Sequence, residues 1–134
     1  MRTSREGVAA MSLTHPDFSE YQYFDQPLRA DAIHLSAPHI YGQVVDAMDL
    51  KAGVSFLNIG SGTGYLSTVV GHICGPDAPN HGLEINPELV THARERSAEV
   101  RESLGERTIP KIEFVAGNAW KIAAPTAMRY DRVY

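Results

Sequence analysis

The run Val54-Ser55-Phe56-Leu57-Asn58-Ile59 passes directly into Gly60-Ser61-Gly62-Thr63-Gly64, and an apolar-periodic stretch follows from Tyr65 to Cys74. A short, largely apolar run ending on clustered glycines reads as a buried strand. The stretch after it reads as a helix with Leu66, Val69, Val70 and Ile73 facing inward, stopped by Gly75-Pro76. Glycines at such a junction let the backbone approach a ligand closely, and the helix start presents N–H groups without intrahelical partners. The spacing narrows the ligand class. A G-x-G-x-x-G dinucleotide fingerprint needs a glycine where Tyr65 stands, and a P-loop needs a Gly-Lys-Ser/Thr that does not follow. The pattern is G-x-G-x-G, a form suited to a nucleoside ligand.

The rest of the chain repeats the alternation. A helix is expected from Pro38 to Leu50, with Ile40, Val44, Ala47 and Met48 on one face and Ser36 suited to cap it. His81 to Ile85 reads as a second strand. Asn86-Pro87-Glu88 then combines a capping side chain, a first-turn proline and an acid near the positive end of the helix dipole. That helix is expected to run to Leu104, to bury Leu89, Ala93, Val100 and Leu104, and to stop at Gly105. Ile112 to Ala116 and Tyr130 to Tyr134 read as two further strands. Strands alternating with helices predict an α/β fold around a parallel sheet. Residues 1–35, with Phe18, Tyr21, Tyr23 and Phe24, read as a lead-in with little regular structure, and 36–134 as the domain proper. The chain stops on an apparent strand, which would leave an unpaired edge; a fragment lacking its C-terminal strands is therefore expected.

Two more elements converge on the glycine loop. Glu84, at the end of the second strand, is placed to accept hydrogen bonds from two ribose hydroxyls. Asn118, after the third strand, offers an amide to an adenine edge. Residues at the carboxyl ends of consecutive parallel strands share one crevice. The candidate cofactor site is thus Gly60, Ser61, Gly62, Gly64, Glu84 and Asn118. Trp120 is expected either beside the adenine pocket or in the core.

Composition excludes several alternatives. One domain fits 134 residues, and 43% hydrophobic residues suffice for one core. A formal charge of −4, without a block of Lys or Arg, argues against a broad nucleic-acid surface. Cys74 is the sole cysteine, so no internal disulfide can form, which fits a reducing compartment. It reads as a small buried hydrophobe. The N-terminus is too polar for a secretory signal and no stretch is long enough to cross a bilayer, so a cytoplasmic or nuclear location is expected. The six histidines show no tight metal spacing, and no metal site is expected.

His34-Leu35-Ser36-Ala37-Pro38-His39, then Leu57 to Leu66, Pro87-Glu88-Leu89-Val90, Val115-Ala116-Gly117-Asn118 and Tyr130-Asp131 resemble, in order and spacing, the protein-L-isoaspartate (D-aspartate) O-methyltransferase family. The resemblance covers Phe18 to the last residue. It implies a class I methyltransferase, Rossmann-like, doubly wound sheet and S-adenosyl-L-methionine as cofactor. It further implies methyl transfer to the free carboxylate of L-isoaspartyl (D-aspartyl) residues in damaged proteins, whose ester then cyclises as a repair step. By the same resemblance Ser36 is the active-site residue beside the transferred methyl, and His39 is a substrate-binding residue that shapes the pocket. The resemblance also adds Asn58, at the end of the first strand, to the cofactor-binding residues, and two departures stand out, because the family usually carries aspartate where this chain has Asn58 and Asn118. These departures, with Ser55 to Ser67 and Asn80-His81-Gly82, bring the chain closer to the isoaspartyl methyltransferase domain-containing subgroup. Members of that subgroup bind the cofactor and are associated with ubiquitin-ligase adaptor roles, through a C-terminal box that recruits elongin and cullin components. The alternative function is therefore a non-catalytic cofactor-binding adaptor.

Overall fold

The computed structural model describes residues 25–30, 33–105, 107–121 and 129–134. The strand, glycine loop and helix read from the sequence organise it. β3 (Phe56–Ile59), β4 (Asn80–Glu84), β5 (Glu113–Ala116) and β6 (Arg132–Val133) form a parallel sheet in the order β5-β4-β3-β6. Helix α2 (Tyr65–Cys74) connects β3 to β4, and α3 (Pro87–Leu104) connects β4 to β5. Before them come α1 (Pro38–Ala47) and an antiparallel pair, β1 (Leu28–Ala30) and β2 (Ile33–Leu35). This pair corrects the expectation of an irregular lead-in for residues 28–30 and 33–35. The four aromatics from Phe18 to Phe24 lie outside the described residues.

The register explains which face is buried. Asn58 pairs with Gly82, and Gly82 with Phe114, so these three side-chain positions share a face with Phe56. Phe56 packs with Met48, Leu66, Val70 and Cys74, and the half-buried Tyr41, Val44 and Val45 of α1 close over that cluster. Phe114 packs with Val90 and Ala93 of α3. The three helices therefore cover one face. On the other, Ile59, Val115 and Val133 are roughly half exposed, and no described helix covers them.

Helix α2 turns a different face inward from the one its apolar residues suggest. Leu66, Val70 and Cys74 are buried as expected, but so are Ser67, Thr68 and Gly71, whereas Val69 is half-buried and Ile73 exposed. The cause lies on the sheet. The Asn58 amide donates to Ser67 Oγ at 3.0 Å and the Asn80 amide to the Ser67 carbonyl at 2.7 Å, so two buried asparagines hold the small polar face. Gly71 is required there because a Cβ would lie 3.0 Å from the Pro110 ring and 3.2 Å from the Asn80 amide nitrogen. In α3 the buried residues are Val90, Ala93, Ser97 and Val100, while Leu89 and Leu104 are only half-buried.

Helix α1 ends at Ala47, short of Leu50, and contains no fully buried residue; Ala47 itself is exposed. Its cap is not Ser36. The N-cap position is Ala37, which has no side-chain bond, and the Asp25 carboxylate instead accepts the His39 backbone N–H at 2.9 Å from fourteen residues away. At the other end of the chain, β6 is clasped to the start of β3. Asp131 Oδ2 accepts from the Ser55 N–H (2.9 Å) and hydroxyl (2.7 Å), while Ser55 Oγ accepts the Asp131 N–H at 2.9 Å. These donors, foremost the Ser55 N–H, hold the Asp131 carboxyl below its ordinary pKa. Arg132 adds a bond to the Met48 carbonyl at the end of α1. No described helix is long and apolar enough to cross a membrane.

Candidate functional site

The glycine loop is a tightly bonded turn over the carboxyl ends of β3 and β4. Gly60 and Ser61 both donate to the Leu83 carbonyl, at 2.7 and 3.0 Å, and Gly64 N–H donates to the Ser61 carbonyl. Gly60, Gly62 and Gly64 have φ of 78°, 53° and 81°, a region that favours glycine. Two of them differ in what surrounds them. A Cβ at Gly60 would meet nothing within 4 Å, so the loop backbone is open to a ligand there. A Cβ at Gly64 would lie 2.7 Å from Phe114 Cζ, so that glycine lets α2 start close against β5.

Glu84 does more than face a ligand. It is buried, and its two carboxylate oxygens accept backbone N–H groups on either side, Oε2 from Gly62 and Oε1 from Asn86, both at 2.9 Å. Each oxygen keeps capacity for a further donor. The acid thus straps the loop to the end of β4, and in the same stroke fixes the start of α3, where Asn86 Oδ1 caps the Glu88 N–H at 2.9 Å. This second duty was not visible in the sequence.

Residues from opposite ends of the chain meet in a cavity of about 210 Å³. Ser36 lines it together with Asn58, Gly60, Ser61 and Gly62, which the sequence had singled out. His34, Tyr41, Tyr65 and Tyr134 line it too, and none of them had been singled out as site residues. Tyr41 could have been found from its place five residues after Ser36, in the first turns of α1. Its hydroxyl accepts the Ser36 N–H at 3.0 Å, and its ring lies 4.9 Å from that of Tyr65, so the serine is held against the helix and the loop. Tyr134 had no local signal. It arrives because its N–H donates to the Leu57 carbonyl and its carbonyl accepts from Ile59, extending the β3–β6 ladder.

Inside this lining two buried polar atoms lack a partner, Asn58 Oδ1 and Ser61 Oγ. The Asn58 amide nitrogen is already committed to Ser67, which leaves its oxygen for another donor. Orphaned buried acceptors are costly, about 1–3 kcal/mol each, and mark a place where a polar ligand group fits. The cavity is smaller than typical small-molecule pockets, roughly 300–1,000 Å³. A nucleoside-sized ligand would exceed it.

Gly64, Glu84, Asn118 and His39 do not line the cavity, although Glu84 is bonded to its Gly62. Asn118 lies past β5, where its Oδ1 accepts the Trp120 N–H at 3.0 Å; this fixes the amide orientation and turns its NH₂ away from that turn. Trp120 is 96% exposed, which rules out the core-packing expectation. His39 is half exposed at the start of α1, with Nδ1 3.0 Å from Asp25 Oδ1. It sits outside the pocket that it was expected to shape. A larger depression of about 720 Å³ between α3 and β5 lacks any glycine-loop residue and lies along the sheet edge.

Comparison with known proteins identifies the family. The family model for protein-L-isoaspartate(D-aspartate) O-methyltransferase matches residues 7–134. A protein-L-isoaspartate O-methyltransferase of Ignicoccus hospitalis is 31% identical over 99% of this chain and 57% of its own length. One from Methanococcus maripaludis is 34% identical over 86% of this chain and 51% of its own. The chain thus spans about half the length of the curated relatives it matches. A solved protein-L-isoaspartate O-methyltransferase superposes with a TM-score of 0.71 at 23% identity, over 95% of this chain and 38% of that one. A Plasmodium falciparum structure described as a relative of the same enzyme, in complex with S-adenosyl-L-homocysteine, gives 0.59 at 19% identity over 92% and 63%. These two likenesses establish the Rossmann-like methyltransferase fold. With the family model spanning nearly the whole chain, the chain belongs to the protein-L-isoaspartate(D-aspartate) O-methyltransferase family.

Proposed function

We propose that this chain carries the S-adenosyl-L-methionine site and the active-site serine of an enzyme that methylates the carboxylate of L-isoaspartyl (D-aspartyl) residues in damaged proteins. The observation that carries this reading is the shared cavity, in which Ser36 meets Asn58 and the glycine loop although 22 residues or more separate them in sequence.

The residues present fit the cofactor. Gly60 and Gly62 give it bare backbone, Glu84 has acceptor capacity left for ribose hydroxyls, and the unpartnered Asn58 Oδ1 can take a donor such as an ammonium. The Asn118 amide is available to an adenine edge. When bound, S-adenosyl-L-methionine supplies a methyl group on a sulfonium whose sulfur departs as a neutral thioether. The acceptor carboxylate is ionised at neutral pH, so no side chain has to remove a proton. What the chain must do is hold the acceptor in line and keep competing water out. Ser36, fixed through its N–H to Tyr41, presents a hydroxyl to one acceptor oxygen, and the rings of Tyr41, Tyr65 and Tyr134 shelter the approach. His39 stands at the rim, where it can meet the acceptor's flanking residues. A cytoplasmic site of action accords with such substrates.

The test is methylation of an isoaspartyl peptide by the complete protein. Turnover is expected, and Ser36→Ala should lower kcat/KM by about tenfold to a hundredfold, the loss of one hydrogen bond to a charged group, with cofactor affinity retained. Measurable cofactor binding with no turnover would reject the enzyme. It would favour the adaptor reading, in which Asn58 and Asn118 mark a retained but non-catalytic cofactor site and segments outside this chain recruit elongin and cullin components.

A further inference from the structure

We infer that the β1–β2 hairpin is the charge-recognition element for the acceptor, with Arg29 and His34 as its two donors. The inference rests on the isoaspartyl reading above and names the residues that select an anionic acceptor.

In the antiparallel pair, Arg29 stands directly opposite His34. Directly paired residues project from the same face, with Cβ atoms about 4.5–5.5 Å apart. Leu35, the next residue of β2, points the other way and is buried. The Arg29 and His34 face is exposed, and His34 lines the cavity beside Ser36. Neither side chain has a hydrogen-bond or ion-pair partner among the described residues, so both are available to an incoming group.

The cavity itself supplies the second observation. Its lining holds no acidic side chain and no Lys or Arg; Asn58, at its floor end of β3, is a neutral amide. Apart from His34, no side chain of the lining carries a formal charge near neutral pH. The positive charge nearest along the hairpin is the guanidinium of Arg29, paired opposite the cavity-lining His34, a planar fork that matches a carboxylate.

The chemistry dictates what this pair can contribute. The acceptor oxygen loses its negative charge as the new C–O bond forms and the C–S bond breaks. A cation gripping that oxygen would stabilise the ground state more than the transition state. Arg29 and His34 are suited instead to capture at the mouth, upstream of the bond-making step carried out beside Ser36. Removal of Arg29, which is outside the cavity lining, should appear in acceptor binding and KM and should leave kcat unchanged.

The test measures binding of an isoaspartyl peptide, and of its carboxamide analogue, to the complete protein saturated with S-adenosyl-L-homocysteine, at low and high salt. Wild type should prefer the carboxylate, and the preference should shrink with salt. The Arg29→Gln, His34→Gln double variant should bind the carboxylate peptide about threefold to tenfold more weakly and lose both the preference and the salt dependence. Arg29→Lys should retain the salt dependence, and S-adenosyl-L-homocysteine affinity should be unchanged in Arg29→Gln and Arg29→Lys, whose side chain is outside the cavity lining, which separates recognition from misfolding. A double variant that keeps wild-type affinity and discrimination would overturn the hairpin assignment alone, leaving the isoaspartyl reading intact. Wild type that binds S-adenosyl-L-homocysteine but neither peptide would overturn both.

Discussion

The two sides of the cavity are built on different principles. On the cofactor side, the loop from Gly60 to Gly64 is held by backbone bonds to Leu83 and by the Glu84 carboxylate, and it packs on a buried Phe114. On the acceptor side, a hairpin of two three-residue strands and a helix with no fully buried residue carry His34, Ser36 and Tyr41. The first is pre-formed, so a ligand there need not order it; the second is tied down by a few exposed hydrogen bonds. Rigidity is concentrated where an invariant cofactor would sit, and looser packing where variable protein segments would have to be admitted.

The sharpest way to break this contrast is to add one methyl group on each side. Gly64→Ala places a Cβ against the Phe114 ring and 3.1 Å from Ala93 Cβ, at a φ of 81°. Left-handed strain and overpacking together should cost about 2–4 kcal/mol in urea unfolding. Gly42→Ala, in α1, meets nothing within 4 Å and should stabilise the protein by about 0.5–1 kcal/mol through helix propensity. Equal effects at the two glycines would erase the distinction.

A smaller effect is expected at the long-range cap of α1. Asp25→Ala removes the acceptor for the His39 N–H and should destabilise the protein by about 1 kcal/mol, with Asp25→Asn, whose amide oxygen still accepts, recovering most of the loss. Circular dichroism melts of both variants would check this. If Ser36→Ala matched Asp25→Ala in stability, the serine would be the cap after all.

The smallest effect concerns pH. Burial, reinforced by Arg96, lowers the His92 pKa against the opposing pull of Glu95 and Glu99. The unfolded chain then takes up this proton more readily than the folded one. The stability associated with a neutral His92 is complete above the ordinary histidine pKa of about 6.5 and is lost as the pH falls below it. Unfolding free energies measured from pH 7.5 to 5.5 should decline less for His92→Gln than for wild type. Because α3 packs on the cofactor side, S-adenosyl-L-homocysteine binding should respond to this titration only through overall stability.

The same division governs what the sequence disclosed. The loop, the Asn86 cap and the Gly75 and Gly105 stops follow local rules spanning about four residues, and the structure matches them. The inward face of α2 was misread because Asn58 and Asn80, placed by sheet register, select Ser67 over Ile73. The Asp25 cap, the Tyr134 contribution and the second role of Glu84 depend on chain segments brought together only by the fold. Local pattern thus revealed the glycine loop, while the side built by the hairpin and α1 rests on contacts that no periodicity encodes.

The central claim is that Glu84 joins loop and ligand in one pre-formed site, and titration calorimetry of the complete protein with S-adenosyl-L-homocysteine tests it most directly. Wild type should bind, and Glu84→Gln, which exchanges a charge-assisted acceptor for an amide, should bind at least about tenfold more weakly while remaining folded. No heat with wild type, or equal affinity for the two proteins, would contradict the account.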